Sequence, residues 1–257
     1  MKISGAWFGK KQQELGRPLN LAATTIGAVS YFAGPQVNVI DLLGLTDKEI
    51  AHNPKIIKEI SENEIGWKER NYNADYVMSR SPDYVYFSTG VKPSAYAERA
   101  LFTTPEFNRF YYPFYIVEKP TGFTDVVYKR KSDSEAGAGT EFPGNPNYSV
   151  KFVNMFNQAM NSSRDKSRAQ TAINEFRQSL DIGPKGFSLP YQYMGDLYLQ
   201  LGKKDLAIDS YKKAIQNEDR NVIAHYQLYQ LFSEKGDSSL ARQSLEKIRK
   251  YNPDLIR

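Results

Sequence analysis

Three carboxylates, Asp41, Asp47 and Glu49, fall within nine positions of the chain. That spacing suits a divalent cation or a carboxylate pair working as general acid and base. Asp41 follows an apolar run that reads as a strand, and Glu49 lies three residues after Thr46, where a helix-starting capping box would place it. Capping accounts for these residues better than chemistry does, so no catalytic residue and no metal site are assigned. His52 and His225 are the only histidines, and no Ser-His-Asp or His-x-x-x-His arrangement can be built from them. The absence of cysteine excludes disulfides, thiolate zinc sites and cysteine nucleophiles. No glycine-rich loop has the spacing that cradles a phosphate, and no cofactor is expected.

The elements that would position these side chains alternate. Residues 2–15 predict an amphipathic helix with Ile3, Ala6, Trp7 and Leu15 on or near one face, ended by Pro18. A strand at 19–23, a helix at 25–32 and a strand at 37–40 follow. Thr46 is expected to cap a helix running to about His52. Residues 76–79 fit a helix end or a strand, 84–87 a strand and 123–130 a last strand. The aromatic-rich stretch 95–115 could form a sugar-stacking platform, but a helix leading into a strand of the same sheet buries the rings and is favoured. Residues 1–130 are therefore expected to form an α/β domain, a small sheet with crossover helices. Residues 131–150, rich in Gly, Pro, Ser and charge with no apolar period, are expected to be a linker.

Residues 151–257 repeat. Tyr191, Met194, Gly195, Tyr198, Ala207, Tyr211 and Ala214 align with His225, Leu228, Tyr229, Phe232, Ala241, Leu245 and Ile248 at a constant offset of 34 residues. This is the period of tetratricopeptide hairpins, in which small residues let paired helices approach and large ones fill between. Three hairpins are expected, at about 153–186, 188–221 and 222–255, the first a degenerate copy, in an all-α tetratricopeptide-repeat domain. The face lined by the first helix of each hairpin would carry Asn157, Asn161, Gln192, Asp196, Tyr226 and Gln230 as a polar protein-docking surface. The Lys/Asn clamp that some such arrays use for a peptide carboxylate does not occur at these positions.

The loop at 41–51 carries a further resemblance. Its Asp41, Gly44, Leu45, Asp47, Ile50 and Ala51 resemble the Asp-x-x-Gly-Leu-x-Asp-x-x-Ile-Ala loop in the soluble C-terminal domain of multi-spanning bacterial membrane glycosyltransferases. That group uses polyprenyl-phosphate sugars and includes the arabinofuranosyltransferases. The resemblance covers about residues 10–130 and implies a non-catalytic, extracytoplasmic domain contributing to acceptor-glycan recognition in cell-envelope assembly. It makes Asp41, Gly44, Leu45 and Asp47 candidate structural or acceptor-contacting positions. Where relatives often place Gly-His, this chain has Gly66 and Trp67. The catalytic acidic residues of such enzymes lie near their first membrane helices, and none carries over.

Charge and hydropathy narrow the partners. The net charge of +5 lies wholly after residue 150, the first 150 residues being balanced, and it is too dispersed for nucleic acid. No apolar run approaches the ~20 residues of a membrane helix, and residues 1–30 lack a signal core. Membrane attachment would need a preceding region outside this sequence. The alternative to the transferase fragment is a free-standing tetratricopeptide scaffold, cytoplasmic in location, whose partner is a protein bound through the repeats.

Overall fold

The computed structural model describes residues 2–61, 71–118, 123–136 and 146–256. Gly66, Trp67 and part of the expected linker lie outside them. The chain divides into two compact units, Met1–Gly139 and Thr140–Arg257.

The first unit begins with α1 (Lys2–Leu15), β1 (Leu19–Ala23), α2 (Ile26–Ala33) and β2 (Val37–Asp41). Short helices α3 (Lys48–His52), α4 (Lys58–Ser61) and α5 (Ala74–Ser79) lead to β3 (Tyr84–Tyr86). Then come α6 (Tyr96–Phe102), α7 (Pro105–Phe110), β4 (Tyr111–Glu118) and β5 (Phe123–Arg130). The five strands form one mixed sheet in the order β2-β1-β3-β5-β4. β2 and β3 flank β1 in parallel, with Leu21 opposite Val39 on one side and Tyr84 on the other. β5 runs antiparallel to both β3 and β4. Parallel neighbours need crossover connections, and α2 supplies the one between β1 and β2.

Side chains alternate across the sheet. Leu19, Leu21, Ala23, Tyr84, Tyr86, Tyr112, Phe114, Ile116 and Val127 join Phe8 of α1 and Val29 and Ala33 of α2 in one buried cluster. On the intervening positions, Phe87 and Tyr128 meet Phe102 of α6 and Phe107 of α7, with ring centroids 4.9–5.8 Å apart. Of the rings in the 95–115 stretch, Tyr96, Phe102, Phe107, Tyr111, Tyr112 and Phe114 are thus core, and Phe110 and Tyr115 are half-buried.

One expectation fails at α1. The helix spans the residues foreseen, but its buried residues are Ser4, Gly5 and Phe8, while Ala6 is exposed and Leu15 is 46% exposed. The reason is steric. A Cβ on Gly5 would lie 2.7 Å from the Val29 carbonyl oxygen, and one on Gly9 2.8 Å from that of Ala33. The helix presents its glycines to α2, so backbone packs against backbone, and an apolar period is the wrong signal for such a contact.

The second unit comprises α8 (Pro146–Ser162), α9 (Ala169–Ile182), α10 (Leu189–Gln200), α11 (Lys204–Asn217), α12 (Val222–Glu234) and α13 (Ser238–Tyr251). Consecutive helices pair as hairpins, α8 with α9, α10 with α11 and α12 with α13. α8 begins at Pro146, inside the expected linker, because proline is tolerated in a first helical turn, where its missing N–H is no loss. The α10 and α12 ends are built alike. Gly202 and Gly236 have φ of 71° and 76°, and the next residue's N–H reaches back to Tyr198 (2.8 Å) and Phe232 (2.9 Å). Among the described residues no helix is long and apolar enough to cross a membrane.

The α1–α2 contact predicts an asymmetric pair of substitutions. Gly5→Ala should lower unfolding free energy by about 1–3 kcal/mol through overpacking. Gly27→Ala, in α2 with open space around its Cβ, should be neutral or stabilising by up to about 1 kcal/mol. Urea unfolding of both variants checks this.

Candidate functional site

Because β1, β2 and β3 are parallel, their C-terminal ends share one edge, where α/β sheets usually bind ligands. Asp41 ends β2 there, fully buried. Its Oδ1 accepts from the Leu43 N–H (3.0 Å), and its Oδ2 from the Thr46 N–H (2.7 Å) and Thr46 Oγ1 (3.2 Å). Gly44 has φ of 67°, and a Cβ there would come within 3.1 Å of the Ala51 nitrogen. Asp47, not Thr46, caps α3, its Oδ1 accepting from the N–H groups of Glu49 (3.0 Å) and Ile50 (3.1 Å). Thr46 cannot also cap, since its hydroxyl is turned to Asp41. Glu49 accepts from the Asn53 amide (2.9 Å) instead of closing a capping box. Asp41, Gly44 and Asp47 therefore build the loop, and Asp41 and Gly44 are too buried to meet an acceptor glycan. Leu45, 71% exposed, is the one member of the four that faces solvent freely.

A second carboxylate on this edge is held in the same manner. Glu98, fully buried at the start of α6, accepts from Thr24 Oγ1 and the Ser88 N–H at 2.7 Å, and from the N–H groups of Ser94 (2.7 Å) and Ala95 (3.0 Å). Those four donors come from the segments just past β1 and β3 and from the helix start, so one carboxylate stitches three segments together.

A third carboxylate escaped the sequence. Asp125 Oδ2 accepts from Ser4 Oγ and Tyr86 Oη, both at 2.6 Å. Burial, and then the bond to Asp125, push the Tyr86 phenol up to about 12. Serine beside aspartate invites comparison with a nucleophile, but among the described residues no histidine or lysine is hydrogen-bonded to the pair to take a proton. The cluster pins α1 to the sheet. Its members lie up to 121 positions apart, and no local pattern joins them. Among the described residues no group of three His, Cys, Asp or Glu could hold a metal ion.

In the second unit the expected docking face divides. Asn157 (6% exposed) and Gln192 (3%) are buried and present no surface. The half-buried Asp196 accepts from Tyr211 Oη at 2.6 Å. The physical reason is Gly195: the Tyr211 ring lies where its Cβ would be, within 2.5–2.8 Å, so α10 and α11 close tightly and enclose the flanking polar residues. Asn161 and Gln230 are exposed, and Gln230 donates to Tyr226 Oη (3.0 Å). A second polar lock forms where the loop after α11 meets α13. Asp219 Oδ2 accepts from Lys247 Nζ (2.6 Å) and Tyr251 Oη (2.5 Å), and His225 Nε2 lies 3.0 Å from the Asp219 carbonyl. Burial holds the His225 imidazole below its ordinary value, hence neutral, against the opposing pull of Asp219.

Among the described residues, a groove lies open over α12 and α13. A cavity of about 660 Å³ is lined by Tyr226, Tyr229, Leu245, Arg249, Pro253, Leu255 and Ile256. A neighbouring one of about 410 Å³ shares Tyr229, Leu245 and Arg249 and adds Arg242 and Glu246. Apolar and aromatic walls with a few charges suit a peptide segment better than a reaction. Sequence reasoning missed Tyr229, Leu245 and Arg249. The signal was present in the repeat alignment, which puts Tyr229 where the previous hairpin has Gly195 and Leu245 where it has Tyr211.

Burial raises the Asp196 carboxyl from its ordinary 3.8 to about 6, against the hydrogen bonds from Tyr211 and Gln192. A raised acid stabilises the fold below its unfolded value, and that contribution is lost as pH rises through about 6. Asp196→Asn, which keeps an acceptor for Tyr211, should therefore exceed the parent by about 1–3 kcal/mol at pH 7.5 and match it near pH 4. Urea unfolding at the two pH values checks this.

No curated protein matches the chain. A family model does, over residues 4–135, which include the whole sheet and both close-packed helices beneath it. Its description carries no activity. On that match, over half of its length, the chain belongs to the family described as a domain of unknown function, DUF8728.

Proposed function

We propose that the chain is a non-catalytic binding protein whose second unit docks a partner protein. The observation that carries this is the groove of about 660 Å³ walled by Tyr226, Tyr229 and Leu245, set against an α/β unit whose buried carboxylates, Asp41 and Glu98, already have donors. Its hairpins are tetratricopeptide-like. The offset of 34 residues, the matching glycine ends at Gly202 and Gly236 and the Gly195–Tyr211 approach support that assignment.

A second reading keeps the resemblance to the outer domain of a membrane glycosyltransferase, extracytoplasmic in location and attached through a preceding membrane region. The surface of α1 and α2 favours it. Tyr31 (80% exposed) and Phe32 (38%) stack edge to face, with Lys2 Nζ 5.6 Å above the Phe32 ring, a basic and aromatic patch of the kind found at a headgroup surface. Leu45 would then be the acceptor-facing residue of its loop.

Affinity purification from native cells with the full chain and its Tyr229→Asp/Leu245→Asp variant separates the two. Docking predicts a protein recovered in near-equal amount with the parent and lost with the variant, circular dichroism of the variant being unchanged. If no protein is recovered, and arabinan or other envelope oligosaccharides raise the melting temperature in a manner abolished by Leu45→Asp, docking is wrong and the transferase reading stands.

A further inference from the structure

The second unit itself shows how its hairpins accept a neighbour. α12 follows the α10–α11 hairpin and is tied to it by two ion pairs, Lys204 Nζ to Glu234 Oε2 at 2.6 Å and Lys235 Nζ to Asp205 Oδ1 at 2.7 Å. α11 also packs against α12, and on it Ile208 is 6% exposed and Ile215 half-buried. Moving on by the repeat offset, α13 carries Ser238 and Ser239 in place of Lys204 and Asp205, so both ion-pairing anchors are gone. It carries Arg242 and Arg249 in place of Ile208 and Ile215. Both arginines are exposed, and among the described residues neither makes an ion pair; Glu246 lies between them on the same helix face, paired with neither.

These replacements change what the face can hold. A further hairpin of the preceding kind would bury two unpaired guanidinium groups where isoleucines lie one repeat earlier, at a cost no remaining anchor offsets. A chain bearing carboxylates turns the same groups into planar, two-pronged donors, the geometry arginine offers better than lysine.

Resting on the docking reading, we infer that the groove over α12 and α13 takes an acidic amphipathic segment of a partner protein, its apolar side chains against Tyr226, Tyr229 and Leu245 and its carboxylates on Arg242 and Arg249. Charge selects the partner and the aromatic floor supplies area, a division usual where a polar rim surrounds an apolar centre.

The test is selection of a random peptide library, about 16 residues long so that four turns of helix fit, on the immobilised full chain. Binding is then measured by fluorescence anisotropy. Enriched peptides should be net negative with apolar residues at helical spacing. Their affinity should fall about tenfold or more on Arg242→Glu/Arg249→Glu, recover in part with Arg242→Lys/Arg249→Lys, and weaken between about 50 and 500 mM salt. Because both arginines are exposed, urea unfolding of the variants should match the parent. Enrichment of basic or uncharged peptides overturns the inference. So does affinity indifferent to the charge reversal, although the docking reading then stands at another face such as that of Asn161 and Gln230. Absence of any enrichment overturns both. Self-association in sedimentation that disappears with the charge reversal would mean that a second copy is the occupant, and the acidic partner would be rejected.

Discussion

A carboxylate taken out of water must find donors for its oxygens, and the first unit meets this demand with its own backbone and hydroxyl groups. Asp41 folds the loop after β2 around itself. Glu98 joins the segments after β1 and β3 to the start of α6. Asp125 holds Ser4 and Tyr86, and through Ser4 the first helix. Asp41 and Glu98 are fully buried with donors on both oxygens, and Asp125 is half-buried. At the sheet edge that would ordinarily receive a ligand, Asp41 and Glu98 are thus engaged by donors of the chain itself.

The second unit solves its packing differently. Its hairpins close at small residues, and the Tyr211 ring over Gly195 encloses Asp196 and Gln192 in a polar seam. Asp219 draws Lys247, Tyr251 and His225 together across the last hairpin. Beside these enclosed polar groups, the array presents aromatic side chains and arginines along α12 and α13. The proposed docking site is the groove that this packing leaves in the helical unit.

How much of this could be read from the residues depended on whether the cause was local. Strand positions, the helix ends at Gly202 and Gly236 and the repeat offset follow from alternation, turn chemistry and period, and the structure has strands and helices there. The buried face of α1 was misread because Gly5 and Gly9 act by absence, letting α2 approach, and an apolar period does not record an absence. The Ser4–Asp125–Tyr86 cluster needs three segments brought together by the sheet. Asn157 and Gln192 look like surface residues in sequence and are buried by their partners. The groove lay in the repeat alignment, where Tyr229, Arg242 and Arg249 break the pattern, but its meaning needed the packing of α12 against α13.

Hydrogen exchange of the full chain, alone and saturated with the tightest peptide it selects, tests the division of labour between the units most directly. Slowed exchange confined to the amides of residues 226–256 is the predicted result, with the loop at 41–51 unchanged. Slowing centred on residues 41–51, with α12 and α13 unaffected, would contradict it and return the binding site to the edge of the sheet.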